Sequence, residues 1–455
     1  MKELIILSAL GVLSLIAGLL KIKRPFMVVV IAGLLLNISV CVMDWNHNEN
    51  LYNMMTLDNF ALAFTIVSSS LAILWFIVAN AYFQNSNTFS DHYALVLFSM
   101  TGGLLMVSFT NMVMLFLGIE VLSIPLFVLA GSHKTSMRSN EAAFKYFLLG
   151  AFASAFLLFG IALLYGSTGH FDNAGISAFL GANKLSGMAL AGIVLMLGAM
   201  TFKVSAAPFH FWAPDVYQGS PTMITTFMAT FVKTVAFAGF YRLFFLTFMP
   251  VRSEYALLFA VIAALTMLVS NLIASAQSNV KRLLAYSSIS HAGFMVITLL
   301  CMNNSSAGIL LYYTLVYSIS SIIAFSIFKW VKTHSAENEE ISAFKGLLSR
   351  SPFLAVVMTF ALLSMSGIPP LSGFMAKYMV FTAAIDNGFM WVAICGIAGS
   401  LMAVYYYFKI IIAMFAEVHE SSEIKVPANL RFVLIVCSIA LLALMLFPSQ
   451  ISSLI

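Results

Sequence analysis

Charge is what this chain has least of. Only 9% of its 455 residues are Asp, Glu, Lys or Arg, while 62% are apolar. A soluble domain carries about 25% charged residues. No soluble fold of this length hides so much apolar surface, so the composition predicts a chain whose solvent is lipid. Cysteine is also scarce: Cys41, Cys301, Cys395 and Cys437. None belongs to a CxxC or CxxCH pattern, which argues against iron–sulfur, haem and zinc sites, and no metal site is expected. All four read as small hydrophobic residues. There is no P-loop and no GxGxxG after a strand. No stretch between apolar runs is long enough for a soluble domain; the largest loops fall near 167–186 and 333–351. The chain alone is therefore not expected to hydrolyse ATP or bind NADH. Its net charge of +5 is spread along the sequence, which reads as topology and not as nucleic-acid binding.

What is present is a succession of apolar runs. A spanning helix needs about 20 mostly apolar residues. On that basis the sequence predicts an all-α polytopic membrane protein of about fourteen transmembrane helices. They lie near 3–20, 25–43, 59–83, 92–109, 111–131, 141–166, 187–208, 221–247, 255–276, 281–301, 305–332, 352–386, 389–416 and 430–447. The first run, MKELIILSALGVLSLIAGLLKIKR, superficially resembles a signal peptide. Its positive charges mostly follow the apolar stretch, and no small-residue cleavage site is evident, so it is expected to stay as the first helix. The loop charges then orient the chain. Lys21, Lys23, Arg24, Lys134, Arg138, Lys281, Arg282, Lys329, Lys332, Lys345, Arg350, Lys425 and Arg431 fall on one side; Lys2, Lys184 and Arg252 fall on the other. By the positive-inside rule the first side is cytoplasmic and both termini face out.

Against this background a few ionisable residues sit deep in apolar runs: Glu120, Lys203, Lys233, Lys377 and His291. A charge at a helix centre costs about 2.5–3.5 kcal/mol on the gentlest scale. Four such groups cost on the order of 10 kcal/mol, comparable to a domain's whole stability. They must face the bundle interior, paired or hydrated. They are either structural ion pairs or steps of an ion path. Lys145, four residues after Glu141, fits a local helix pair. Arg242 and Lys409 lie towards helix ends and are expected to snorkel.

Prolines accompany the charges. Pro208 frees the carbonyl of Val204, beside Lys203; Pro369 and Pro370 free those of Met365 and Ser366; Pro125 frees that of Val121, beside Glu120. Backbone groups unpaired at membrane depth survive only inside protein or facing water. Helices seven and twelve are therefore expected to be discontinuous. A broken helix bearing a lysine recurs about 170 residues on, in the opposite direction, as an inverted repeat produces. The expected organisation is an N-terminal group (1–90), a first inverted five-helix repeat (91–250), a second (251–416) and a last helix (417–455). A row of buried lysines linked by water, histidine and Ser205, Ser287, Ser288, Ser290 and Ser372 would pass protons stepwise. No dense carboxylate cage suited to a dehydrated metal cation is seen.

Several stretches carry a family likeness: GIEVLSIPLFVLAG, SNEAAFKYFLLGAFASAFLLFGIALLYGSTG, FKVSAAPFHFWAPDVYQGSPT, SNVKRLLAYSSISHAGFM and GIPPLSGFMAKYMVF. From about residue 90 to 415 the chain resembles the proton-pumping membrane subunits of NADH–quinone oxidoreductase, respiratory complex I, in their N-type form. The resemblance implies that Glu120 and Lys203 are the charge pair of a first half-channel, Lys233 a central relay and Lys377 an outlet. It further implies roles for Lys145 beside the pair, for His210 after the first break, and for Lys281 and His291 on a hydrated axis. It implies M- and K-type membrane neighbours and a bacterial inner membrane. NADH, FMN, iron–sulfur clusters and quinone would belong to other subunits, and no cofactor is expected in this chain. An Mrp-type or stand-alone cation/proton antiporter, a membrane hydrogenase subunit and a structural scaffold are the other readings the residues allow.

Overall fold

The computed structural model describes residues 1–20, 26–83, 89–303, 305–418 and 423–455. Lys21, Lys23 and Arg24 of the orientation tally lie outside the described residues. Helices dominate: α1 (Lys2–Leu19), α2 (Phe26–Met43), α3 (Asn59–Phe83), α4 (Phe89–Ser108), α5 (Met112–Ala130), α6 (Met137–Thr168), α7 (Asn173–Ala182), α8 (Gly187–Lys203), α9 (Trp212–Gly219) and α10 (Thr222–Phe227). A π-helical turn, Met228–Val232, leads from α10 into α11 (Lys233–Leu243). Then follow α12 (Arg252–Ser275), α13 (Val280–Cys301), α14 (Ser306–Thr333), α15 (Leu347–Arg350), α16 (Pro352–Ser366), α17 (Ser372–Asp386), α18 (Met390–Phe415), α19 (Ala428–Leu446) and α20 (Pro448–Ser452). A small antiparallel hairpin, Glu49–Leu51 with Met55–Leu57, joins α2 to α3; neither it nor α7 was expected inside a loop.

The protein is an all-α polytopic membrane protein. Ten helical runs among the described residues are long and apolar enough to cross a bilayer. The difference from the expected fourteen has identifiable causes. Thr222–Ser275 is one run of 54 residues, which at about 1.5 Å per residue exceeds twice the hydrocarbon thickness and must contain a reversal. The expected spans at 187–208 and 352–386 are each interrupted, into α8 with α9 and α16 with α17, and the span expected at 92–109 forms as α4 but is not among the ten. The N-terminal ammonium bonds Glu49 at 2.9 Å, and Asn48 and Ile455 line one open cleft. Both chain ends therefore share a face, which requires an even number of crossings.

Local chemistry sets the helix limits. Asn111, Ser186 and Asn279 cap α5, α8 and α13 by accepting from the amides of Val113, Ala189 and Arg282; each removes an orphan donor that lipid could not satisfy. Gly169, at φ 73°, closes α6 in the left-handed conformation. Close backbone approach needs glycine at Gly102, where a Cβ would stand 2.2 Å from the amide nitrogen of Leu122; α4 and α5 pack backbone to backbone there. Layering follows polarity in reverse. Nearly every residue of α13 and α14 is buried, although α13 carries Lys281, His291 and three serines. The outer helices α1, α2, α6, α18 and α19 present their apolar side chains outward, as lipid requires.

Arg242 does not snorkel. It is 3% exposed and its Nη1 donates to both carboxylate oxygens of Asp58, at 2.9 and 2.8 Å. Its Nε donates to the carbonyl of Phe109 at 2.8 Å. A counter-ion at the start of α3 draws the guanidinium inward, and its several donors let it hold Asp58 through Nη1 while Nε takes the Phe109 carbonyl. Lys409 reaches the carbonyl of Ser275 at 2.8 Å. Asp58→Ala is expected to destabilise by about 3 kcal/mol, because it strands a buried guanidinium, and Asp58→Ala with Arg242→Met should recover most of that loss. Apparent melting temperatures in detergent across the double-mutant cycle check this; additive losses would exclude the coupling.

Candidate functional site

The interrupted helices bring the predicted charges inside. Helix α8 ends at Lys203. Ser205 follows with φ 61°, a left-handed conformation that turns the chain away from the helix axis. The amide of Ala206 bonds back to the carbonyl of Thr201. Lys203 Nζ donates to Ser123 Oγ, one turn beyond Glu120 on α5. Ser154 Oγ on α6 donates to Glu120 Oε1. Glu120 and Lys203 thus each bond a serine, and no ion pair joins them among the described residues. Ser123 and Ser154 both line a cavity of about 20 Å³ that also touches Lys203 and Tyr146. That volume admits about one water.

Lys233 opens α11 immediately after the π-helical turn. Such turns insert an extra residue and change which face the following side chains occupy; they recur at functional sites. The Lys233 amine is 4% exposed. It donates to the carbonyl and the hydroxyl of Ser288, each at 2.6 Å, and sits 5.6 Å from the Tyr317 ring centre. On the same helix as Ser288, His291 Nδ1 pairs with the Tyr313 hydroxyl at 2.8 Å, and its ring lies 4.8 Å from that of Tyr317. A cavity of about 10 Å³ touches His291, Tyr317, Ser320, Ser364 and Gly373, and Ser320 donates to Ser364 at 3.1 Å. Asn271 donates to Ser290 at 2.8 Å and accepts from Tyr406 at 2.9 Å.

The second break carries Lys377. Helix α16 stops at Gly367, φ 83°, and α17 resumes at Ser372. Lys377 is 5% exposed, and its Nζ donates at 2.9 Å to the carbonyl of Ser366, the group that Pro370 leaves without a helical donor. The amine also lies 4.9 Å from the Phe294 ring centre, within cation–π range. Gly373 permits the two halves to meet, since a Cβ there would stand 1.7 Å from the carbonyl oxygen of Ser364. Among the described residues neither Lys233 nor Lys377 has a carboxylate within ion-pair distance.

The remaining predicted residues divide. Lys281 donates to the backbone carbonyls of Gln218 and Ser220, tying α13 to the end of α9. His210 is buried in the first break, stacked on Phe211 at 4.6 Å between ring centres; its Nδ1 has no hydrogen-bond partner. No described hydrogen bond joins it to the lysines. Lys145 does pair with Glu141 at 2.7 Å, and it also pairs with Asp215 at 2.7 Å. Asp215 in turn holds Arg282 at 2.8 Å. Asp215 and Arg282 went unassigned in the sequence. APDVYQG was visible as a motif, but the spacing does not show that its acid reaches α6 and α13. Ser123, Ser154, Tyr313 and Tyr317 were missed because hydroxyls in apolar helices are common and carry no pattern. The cations Asp215 holds, Lys145 and Arg282, are 38% and 30% exposed, against 3% for Arg242. Asp215→Ala should therefore cost only about 1 kcal/mol, well below Asp58→Ala in the same melting assay; an equal loss would show the cluster to be far drier than it is here.

Comparison with known proteins agrees with this architecture. Residues 110–403 match the family described as NADH:quinone oxidoreductase/Mrp antiporter, TM. NADH-quinone oxidoreductase subunit N of Cytophaga hutchinsonii is 43% identical over 432 residues, covering 94% of this chain and 93% of that protein. A chain of respiratory complex I from Thermus thermophilus superposes with TM-score 0.85 at 33% identity, covering 99% of this chain and 98% of its own. A chain of the Mrp complex from Dietzia sp. superposes with TM-score 0.88 at 20% identity, covering 100% and 96%; that likeness concerns the fold. With near-complete coverage on both sides, the chain belongs to the NADH-quinone oxidoreductase subunit N family of antiporter-like membrane subunits.

Proposed function

We propose that this chain carries protons across a bacterial inner membrane as one subunit of a NADH–quinone oxidoreductase. Glu120 and Lys203 form the input pair, Lys233 the central relay and Lys377 the outlet, with His291 between the last two. Lys145, Lys281 and His210 act around the entrance. The observation that carries this reading is a pair of buried lysines, Lys233 and Lys377, bonded to a serine and to a freed carbonyl without any carboxylate nearby. A structural ion pair would have a counter-ion; leucine would hold helices together at less cost. Serine and tyrosine hydroxyls and a histidine lie along the same buried helices, and each can accept one proton while giving another. Water completes the steps between them. The inverted repeats, 91–250 and 251–416, place one broken helix in each half.

The neighbours in this reading are M- and K-type membrane subunits, and both termini face the periplasm. NADH, FMN, iron–sulfur clusters and quinone are held by other subunits, and this chain has no redox centre. The redox reaction must supply the drive, since moving one charge against 100 mV costs about 2.3 kcal/mol. The identity to complex I subunits favours this reading over an Mrp-type antiporter, whose likeness rests on fold.

In membranes containing the assembled complex, Lys203→Ala and Glu120→Ala should each reduce proton pumping by at least half, together with the coupled NADH oxidation. Proton pumping and NADH oxidation that both keep their unaltered rates in the two variants, with normal assembly, would refute the assigned input pair. Lys377→His retains a titratable group and should keep part of the pumping, whereas Lys377→Leu should abolish it. Equal pumping by the two variants, with normal assembly, would remove Lys377 from the path.

A further inference from the structure

At the end of α19 remote from the C-terminus, an open cleft of about 620 Å³ lies between α16 and α19. Arg350, Ser351, Phe353, Glu423, Lys425 and Arg431 line it. Three of these are cations and one is an anion, so the lining is net positive. None of the three cations forms an ion pair among the described residues. Arg350 is held by neutral acceptors, the carbonyls of His334 and Ala343 at 2.9 and 3.2 Å and Ser335 Oγ at 3.2 Å. Arg431 lies 5.9 Å over the Phe353 ring. The Lys425 side chain is exposed, while its carbonyl accepts from Trp330 at 3.2 Å. The amide of Ile424 bonds the carbonyl of Arg350 at 2.9 Å, so the two walls are stitched together. Ser351 is 7% exposed and lines the cleft; among the described residues its hydroxyl makes no hydrogen bond, not even as a cap to α16. The first amides of α16 have no helical acceptors of their own and add a positive end to the cleft.

From this basic cleft, apolar side chains run outward along both helices: Val356 on α16, and Phe432, Ile435 and Ile439 on α19, each 43–61% exposed. The last three recur at helical spacing and form one stripe. A soluble anion would have no use for that stripe; acyl chains would lie along it. The geometry points to a binding site for an anionic phospholipid, with its phosphodiester between Lys425, Arg431 and Ser351 and its chains against α16 and α19. Basic pockets between helices at a membrane surface recognise such headgroups, each cation contributing on the order of 1 kcal/mol.

The test uses membranes containing the complex that carries this chain. Photo-crosslinkable phosphatidylglycerol and phosphatidylcholine with the same acyl chains are compared, and labelled peptides are mapped. Phosphatidylglycerol is expected to label 349–353 and 423–431 in preference to phosphatidylcholine. Lys425→Gln with Arg431→Gln should lower that label about 30-fold. Equal label from both lipids, no label on these peptides, or undiminished label in the double variant would overturn the proposal. Loss of label in millimolar inorganic phosphate would also overturn it, by making this a soluble-anion site. Should the double variant fail to assemble, Glu423→Gln decides: it raises the positive charge and should strengthen labelling about fivefold, and unchanged labelling would count against the site.

Discussion

An ammonium group inside a lipid slab has nowhere to put its charge except on the protein around it. That constraint organises the interior of this chain. Lys233 and Lys377 are both nearly inaccessible; among the described residues Lys233 is met by the carbonyl and hydroxyl of Ser288 and the Tyr317 ring, and Lys377 by the Ser366 carbonyl and the Phe294 ring, rather than by a carboxylate. Neutral oxygens and ring faces can stabilise the charged amine without fixing it permanently. To make such surroundings at membrane depth, α13 and α14 must be enclosed on all sides. The outer helices supply the enclosure and face lipid with their own apolar residues.

Arg242 shows the alternative treatment of the same cost. Its guanidinium is held by both carboxylate oxygens of Asp58 through Nη1 and by the carbonyl of Phe109 through Nε. Removing either partner leaves an uncompensated charge, so the arrangement holds one state. It ties α11 to the start of α3 and the end of α4, at the face where both termini lie. The chain therefore contains two kinds of buried cation. One is locked by a counter-ion and acts as a clamp. The other has no counter-ion among the described residues and is held by neutral groups alone.

The sequence made one of these kinds easy to see. Glu120, Lys203, Lys233 and Lys377 stand out because a charge in an apolar run is rare and expensive, and the two prolines of Pro369-Pro370 announce a break without help from tertiary structure. Both interrupted helices fall within a few residues of their expected positions. The partners were not legible. Asp58 lies in a polar loop and looks like an ordinary surface acid until Arg242 arrives from 184 positions away. Asp215 bridges α6 and α13, a relation that depends on how three helices pack. The π-helical turn before Lys233 has no composition of its own; it arises where packing forces one residue too many into a turn. The resemblance made Glu120 and Lys203 a charge pair; in the structure each bonds a serine, Ser154 and Ser123, and these partners were not legible because a hydroxyl in an apolar helix carries no pattern.

That separation matters more than a closed ion pair would. Two charges in contact in a dry interior form one deep minimum and would hold each other there. Here Lys203 rests on Ser123 and Glu120 on Ser154, beside a cavity that admits about one water. Each charge keeps a neutral hydroxyl partner of its own, so neither is locked to the other. Both residues are only partly buried within this chain, so their electrostatic surroundings include whatever packs against them. Lys233 and Lys377 have no counter-ion among the described residues, so a charge brought up beside either is felt by an amine that only neutral groups hold.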